Sequence, residues 1–158
     1  MGLKFFEPDV DFLKWIKDYA KGRLIVDCGA GQGHITRELF KLGAKIVAFE
    51  PNGDFMKFQE ENMKQRLGMI QYIMADCTTS KITSMPNLLL LFARPCHSNF
   101  VEKTISHMHP SSEVLYITKP DNWEHYDDLG KYRDNAVEIK HKGSSKEEEK
   151  VWSVKKSK

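Results

Sequence analysis

One stretch decides what this chain can become. Residues 24–36 read Leu-Ile-Val-Asp-Cys-Gly-Ala-Gly-Gln-Gly-His-Ile-Thr. A short apolar run (Leu24, Ile25, Val26) leads into Asp27, glycines follow at 29, 31 and 33, and a helical pattern begins at His34. Such a pattern describes a buried strand, a turn too sharp for side chains, and a helix that opens with unpaired N–H groups toward the turn. A ligand can then lie directly on the backbone, with a polar or anionic part near the helix start. An ordinary strand-to-helix turn uses glycine for tightness as well. Three alternating glycines preceded by an acid, between strand and helix, point instead to a nucleotide-type cofactor loop.

The next strand narrows the cofactor class. Residues 45–50 (Lys-Ile-Val-Ala-Phe-Glu) form a short apolar strand ending in Glu50, where one carboxylate can accept hydrogen bonds from both hydroxyls of a ribose. After Gly29 and Gly31, a dinucleotide fingerprint would place its third glycine at 34, where this chain has His34. The run Asp27-x-Gly29-x-Gly31-x-Gly33 instead resembles motif I of the class I S-adenosylmethionine-dependent methyltransferases. The resemblance covers roughly residues 20 to 120. It implies a cofactor site of Asp27, Cys28, Gly29, Ala30, Gly31 and Gly33, with Glu50, Pro51 and Asn52 on the ribose side. It further implies Asp76 at the adenine amino group, with Cys77 supplying a backbone N–H. Two readings of Asp27 stand side by side: an acid that braces the loop, and one that reaches the amino group of the methionine moiety. For Asp76 a cap or turn role competes.

The remaining chain reads as alternating helices and strands. Residues 9–21 make an amphipathic helix with Phe12, Leu13, Ile16, Tyr19 and Ala20 at three- and four-residue spacing, capped by Asp9 or Asp11 and stopped by Gly22. A helix is expected over 34–42, and another over 54–67 with Phe55, Met56, Met63 and Leu67 inward. Strands are expected over 69–75, 88–93 and 113–118, the second apolar on both faces as a central parallel strand must be. A helix from Phe100 to Met108 separates the last two. Residues 119–133 hold at most a short helix, and 136–140 and 150–155 read as a closing strand pair joined by a polar, mobile linker over 143–149. Residues 1–8, with Phe5 and Phe6, are a candidate cover for the cleft. The expected fold is α/β: a Rossmann-like, doubly wound, mostly parallel seven-stranded sheet with helices on both faces and an antiparallel last strand. It forms one domain over 1–158, with a helical segment to 22, a cofactor core over 23–120 and a strand pair with tail beyond.

Composition excludes more than it selects. Hydrophobic residues at 41% and charged residues at 29% describe a globular chain with no membrane-length apolar run and no signal-peptide core in its first twenty residues. A net charge of +2 gives no indication of nucleic acid, and the basic tail Lys155-Lys156-Ser157-Lys158 reads as a solvated end. Three cysteines (Cys28, Cys77, Cys96) without metal-ligand spacing fit a reducing, cytoplasmic compartment. His107, His109 and His125 match no common zinc pattern, so no metal is expected.

The acceptor is not legible. Nucleic-acid amino-methyltransferases carry Asn/Asp-Pro-Pro-aromatic after the fourth strand, and this chain has Arg94-Pro95-Cys96-His97 there. His97 is the candidate base if the acceptor must lose a proton, and Arg94 the candidate anchor for an acidic acceptor. A solvent-exposed helix-start histidine and a structural ion pair are their plain alternatives. Tyr126, Asp127 and Asp128 are weaker acceptor-side candidates. Methyl transfer to an unidentified acceptor is the leading expectation. A cofactor-binding protein of the same fold without transferase activity, acting as partner subunit or sensor, is the first rival, and a nicotinamide-dependent oxidoreductase the second.

Overall fold

A computed structural model describes residues 8–29, 34–50, 71–73, 77–78, 80–93, 100–118, 123–143 and 149–157, with backbone alone for 71–73 and 123–127. The expected helix over 54–67, the cover over 1–7, and Ala30, Gly31, Gly33, Pro51, Asn52, Asp76, Arg94 and His97 lie outside these residues.

Helix α1 (Val10–Ala20) starts at Asp9, whose Oδ1 accepts from the Phe12 N–H at 2.8 Å. This satisfies one of the free donors of the first turn. It stops one residue before the expected glycine, because Lys21 itself takes the left-handed conformation (φ 51°). Its inward stripe is Phe12, Leu13, Ile16 and Ala20. Full burial of each of the three large side chains stabilises the fold by about 1.5–3 kcal/mol.

Strands β1 (Ile25–Cys28), β2 (Ile46–Phe49), β3 (Gln71–Ile73), β4 (Leu89–Ala93), β5 (Glu113–Thr118), β6 (Ala136–Ile139) and β7 (Lys150–Lys155) form one sheet in the order β3-β2-β1-β4-β5-β7-β6. β3, β2, β1, β4 and β5 are mutually parallel, and β7 runs antiparallel to both β5 and β6. Alternate side chains of the strands build two cores. On one face Ile25, Leu89, Leu91, Leu115, Ile117 and Val151 meet α1 and helix α2 (His34–Lys41). On the other, Val26, Val47, Phe49, Leu90, Phe92, Val114 and Tyr116 meet Val101, Ile105 and Met108 of helix α3 (Phe100–His107) and the turn after it. β1, β2, β4 and β5 are buried along nearly their whole length, because helices cover both faces.

Two departures from expectation have local causes. Residues Trp123–Asn135 form two 3-10 segments joined at Gly130 (φ 51°), longer than the short helix expected. Leu129 and Tyr132, one on each side of the Gly130 kink, are buried and anchor the two segments in the α3 core. The basic tail is not simply solvated. Lys156 Nζ donates to the carbonyls of Ser106 and Met108, both at 3.0 Å, and so caps the C-terminal end of α3.

At the sheet's amino edge, α1 is locked by one carboxylate. Glu113 opens β5 and is buried, with Arg23 Nη1 at 3.0 Å, while the hydroxyls of Tyr19 and Ser153 both donate to its Oε2. Burial pushes the Glu113 carboxyl up, but these three hydrogen bonds and the Arg23 charge outweigh it and hold it below the usual range. Burial and the bond to Glu113 push the Tyr19 hydroxyl up to about 12, so it stays a donor. At the other end of α1, Gly143 (φ 76°) packs so tightly that a Cβ there would stand 2.3 Å from the Phe12 backbone nitrogen. The linker between β6 and β7 is thus pinned to α1 at Gly143.

Candidate cofactor site

In an open parallel sheet, ligands bind beyond the carboxyl ends of the strands, where the order reverses. Here the reversal lies at β1, which has β2 on one side and β4 on the other. The segment leaving β1 is tied to β2, for the Gly29 N–H donates to the Phe49 carbonyl at 2.9 Å. Gly29 is left-handed (φ 77°), and a Cβ there would meet only Phe100 Cε1, at 4.0 Å. The constraint at this position is therefore backbone conformation rather than space.

Asp27 is 2% exposed and points to the α2 side of the sheet, where Thr36 Oγ1 donates to its Oδ2 at 2.6 Å. Burial is the main reason its carboxyl is pushed up to about 6; the Thr36 bond pulls it down, and the Glu50 charge raises it again. Among the described residues no ion pair reaches Asp27. Glu50, immediately after β2, is 7% exposed. Two buried acids on neighbouring strand ends thus lie close enough to feel one another. The geometry gives Asp27 a bracing role through Thr36 at the start of α2, and leaves it an electrostatic preference for a cation.

Cys28 and Cys77 both point into the α3 core, and Cys77 is fully buried with Sγ 3.6 Å from Thr104 Oγ1. The Cys77 carbonyl accepts from Thr83 Oγ1 at 2.7 Å. Neither thiol can serve a ligand; what remains to these residues is backbone. His107 and His109 sit at the far end of α3, where His107 Nε2 pairs with the Ser80 carbonyl and His109 Nδ1 accepts from the Ser111 N–H. Among the described residues no three metal-ligating side chains come together.

Two residues near the site escaped the sequence reading. Thr36 carried no signal beyond its place in the first turn of α2. Phe100 approaches Gly29 and meets Phe92 edge-on, with ring centroids 5.4 Å apart. Its apolar character marked it only as a helix residue.

Comparison by sequence with known families and with curated proteins gives no match. Solved structures do match. A TehB-like S-adenosylmethionine-dependent methyltransferase from Corynebacterium glutamicum is similar at 15% identity and TM-score 0.65, over 93% of this chain and 88% of that one. An S-adenosylmethionine-dependent O-methyltransferase from Thermotoga maritima is similar at 14% identity and TM-score 0.63, over 96% and 67%. An rRNA methylase from Streptococcus thermophilus is similar at 14% identity and TM-score 0.58, over 92% of each. Identities this low carry the architecture alone. No helix among the described residues is long and apolar enough to cross a membrane. The chain has the class I S-adenosylmethionine-dependent methyltransferase-like fold.

Proposed function

We propose that the chain binds S-adenosylmethionine beyond the ends of β1 and β2 and transfers its methyl group to an acceptor. The observation that carries this reading is the pair of buried acids, Asp27 and Glu50, at the switch point of the sheet. A ligand with a ribose diol and a cationic amino acid end suits such a pair. The diphosphate of a nicotinamide dinucleotide lying on the loop after β1 would set its negative charge against the buried Asp27, which disfavours the oxidoreductase reading. Glu50 would hold the ribose hydroxyls, Asp27 the amino group, and the backbone of Gly29, Ala30, Gly31 and Gly33 would line the methionine part. Pro51 and Asn52 would border the ribose, and Asp76 and the Cys77 backbone the adenine. When bound, the cofactor supplies an electrophilic methyl group. The chain's part is to exclude water and fix an in-line approach, which rests on positioning more than on acid–base chemistry.

His97 is the base for an acceptor that must lose a proton, and Arg94 the anchor for an acidic one. His97→Ala would then lower the rate by about 10²–10⁴ while leaving cofactor affinity intact. The departure of Arg94-Pro95-Cys96-His97 from the tetrapeptide of the amino-methyltransferases favours a second reading, binding without transfer. The two readings separate on whether methylated product forms in a matched lysate supplied with labelled cofactor. Cofactor identity is tested by thermal unfolding. S-adenosylhomocysteine at 100 times its dissociation constant should add about 2.7 kcal/mol of stability and NAD none. A response to NAD alone would overturn the proposal.

A further inference from the structure

The sheet ends in β6, and among the described residues no strand pairs with its outer edge. An open edge is a template for another strand, and proteins blunt it with charged side chains, with proline or by keeping the strand short. This short edge has no proline, and its charges are of both signs. Its sequence is Ala136-Val137-Glu138-Ile139, continued past the strand's end by Lys140 and His141, with Glu138 and Lys140 both exposed and of opposite sign. Antiparallel pairing of this strand with itself about Ile139 sets Glu138 opposite the partner's Lys140, and Lys140 opposite the partner's Glu138. On the other face the same register sets Ile139 against the partner's Ile139, and Val137 against the partner's His141. Val137 is 62% exposed, more than Val10 and Met85, the two other large exposed apolar side chains among the described residues. Half-buried Trp15 and Tyr19 stack on α1 on this same face, and Trp15 meets His141 edge-on at 5.8 Å.

We propose that β6 is a self-complementary edge on which a second copy of this chain docks, through antiparallel β6–β6 pairing centred on Ile139. The two-fold axis of such a pair stands normal to the sheet, so the sheets of the two copies become one. α1 of each copy then lies on the same side, and the candidate cofactor sites open on opposite edges. A contact of one short strand per copy is small, which makes the dimer weak and dependent on concentration.

Charge exchange tests the register with the full chain. By sedimentation equilibrium the unaltered chain should move from monomer toward dimer between about 1 μM and 1 mM, the range of a small interface. Glu138→Lys alone sets Lys against Lys, and Lys140→Glu alone sets Glu against Glu. Each should weaken self-association about tenfold or more, from two cross-strand pairs turned repulsive. Both positions are exposed, so the thermal midpoint of each variant should match that of the parent. An equimolar mixture of the two variants restores both opposite-charge pairs and should dimerise as the parent does. A parent that stays monomeric throughout, single variants that associate like the parent, or a mixture that shows no recovery would each overturn the proposal.

Discussion

Two buried acids stand at opposite edges of the same sheet, and their surroundings differ in kind. Glu113, at the amino edge, is met by an arginine and two hydroxyls, and its carboxyl is held below the ordinary range. Asp27, at the carboxyl edge, receives a hydrogen bond from Thr36, feels the charge of Glu50, and is pushed up to about 6. The first acid is a lock between α1, β5 and β7. The second costs stability at neutral pH, a cost that a ligand bound there under the proposed function would offset.

The signs follow. Asp27 binds its proton more tightly folded than unfolded, so its contribution worsens as pH rises from about 4 to about 6. Across that window the loss is on the order of 3 kcal/mol and persists above it. Glu113 works in the other direction: its stabilisation is present above the unfolded carboxyl value and is lost as pH falls through its lowered folded value.

The contrast breaks most sharply at Glu113. Glu113→Ala leaves the half-buried Arg23 and the hydroxyls of Tyr19 and Ser153 without their shared carboxylate and should destabilise the chain by about 3 kcal/mol in urea unfolding at pH 7. A loss below 1 kcal/mol would make the cluster incidental. Asp27→Asn keeps an oxygen for Thr36 and removes the buried charge. It should raise stability at pH 7 by about 1–2 kcal/mol and flatten the change between pH 4 and 6. Acidification sharpens the functional half of the contrast. Affinity for S-adenosylhomocysteine should fall up to about tenfold for each pH unit below 6, as Asp27 takes up its proton and loses its attraction for the amino group. Tyr19→Phe is the mildest probe. It removes one of three donors to Glu113 and should cost roughly 1.5 kcal/mol, read from the same urea curves.

Among the described residues, α1 and β4 were legible because their apolar periods were long and clean: Phe12, Leu13, Ile16 and Ala20 mark α1, and the run 88–92 marks β4. The glycine run and Glu50 marked the candidate site for the same reason, since turn chemistry and a strand-end acid are local signals. Contacts between distant residues left no such trace. Glu113 read only as the first residue of a strand, yet its partners lie 90 and 94 residues before it and 40 after. Lys156 looked like a loose tail residue, because the carbonyls it caps belong to a helix about fifty positions away. In the 3-10 segments after β5 the kink at Gly130 separates the buried anchors Leu129 and Tyr132, so no single period joins them.

Under the proposed function, the buried acid at the carboxyl edge is kept for the cofactor. The most direct test is calorimetric titration of the parent, Asp27→Asn and Glu50→Ala chains with S-adenosylhomocysteine at pH 7.5, alongside urea unfolding of each chain without ligand. The parent should bind, both variants should lose about 1–3 kcal/mol of affinity, and Asp27→Asn should do so while becoming more stable without ligand. Equal affinity in all three chains, or no binding to the parent at all, would contradict it.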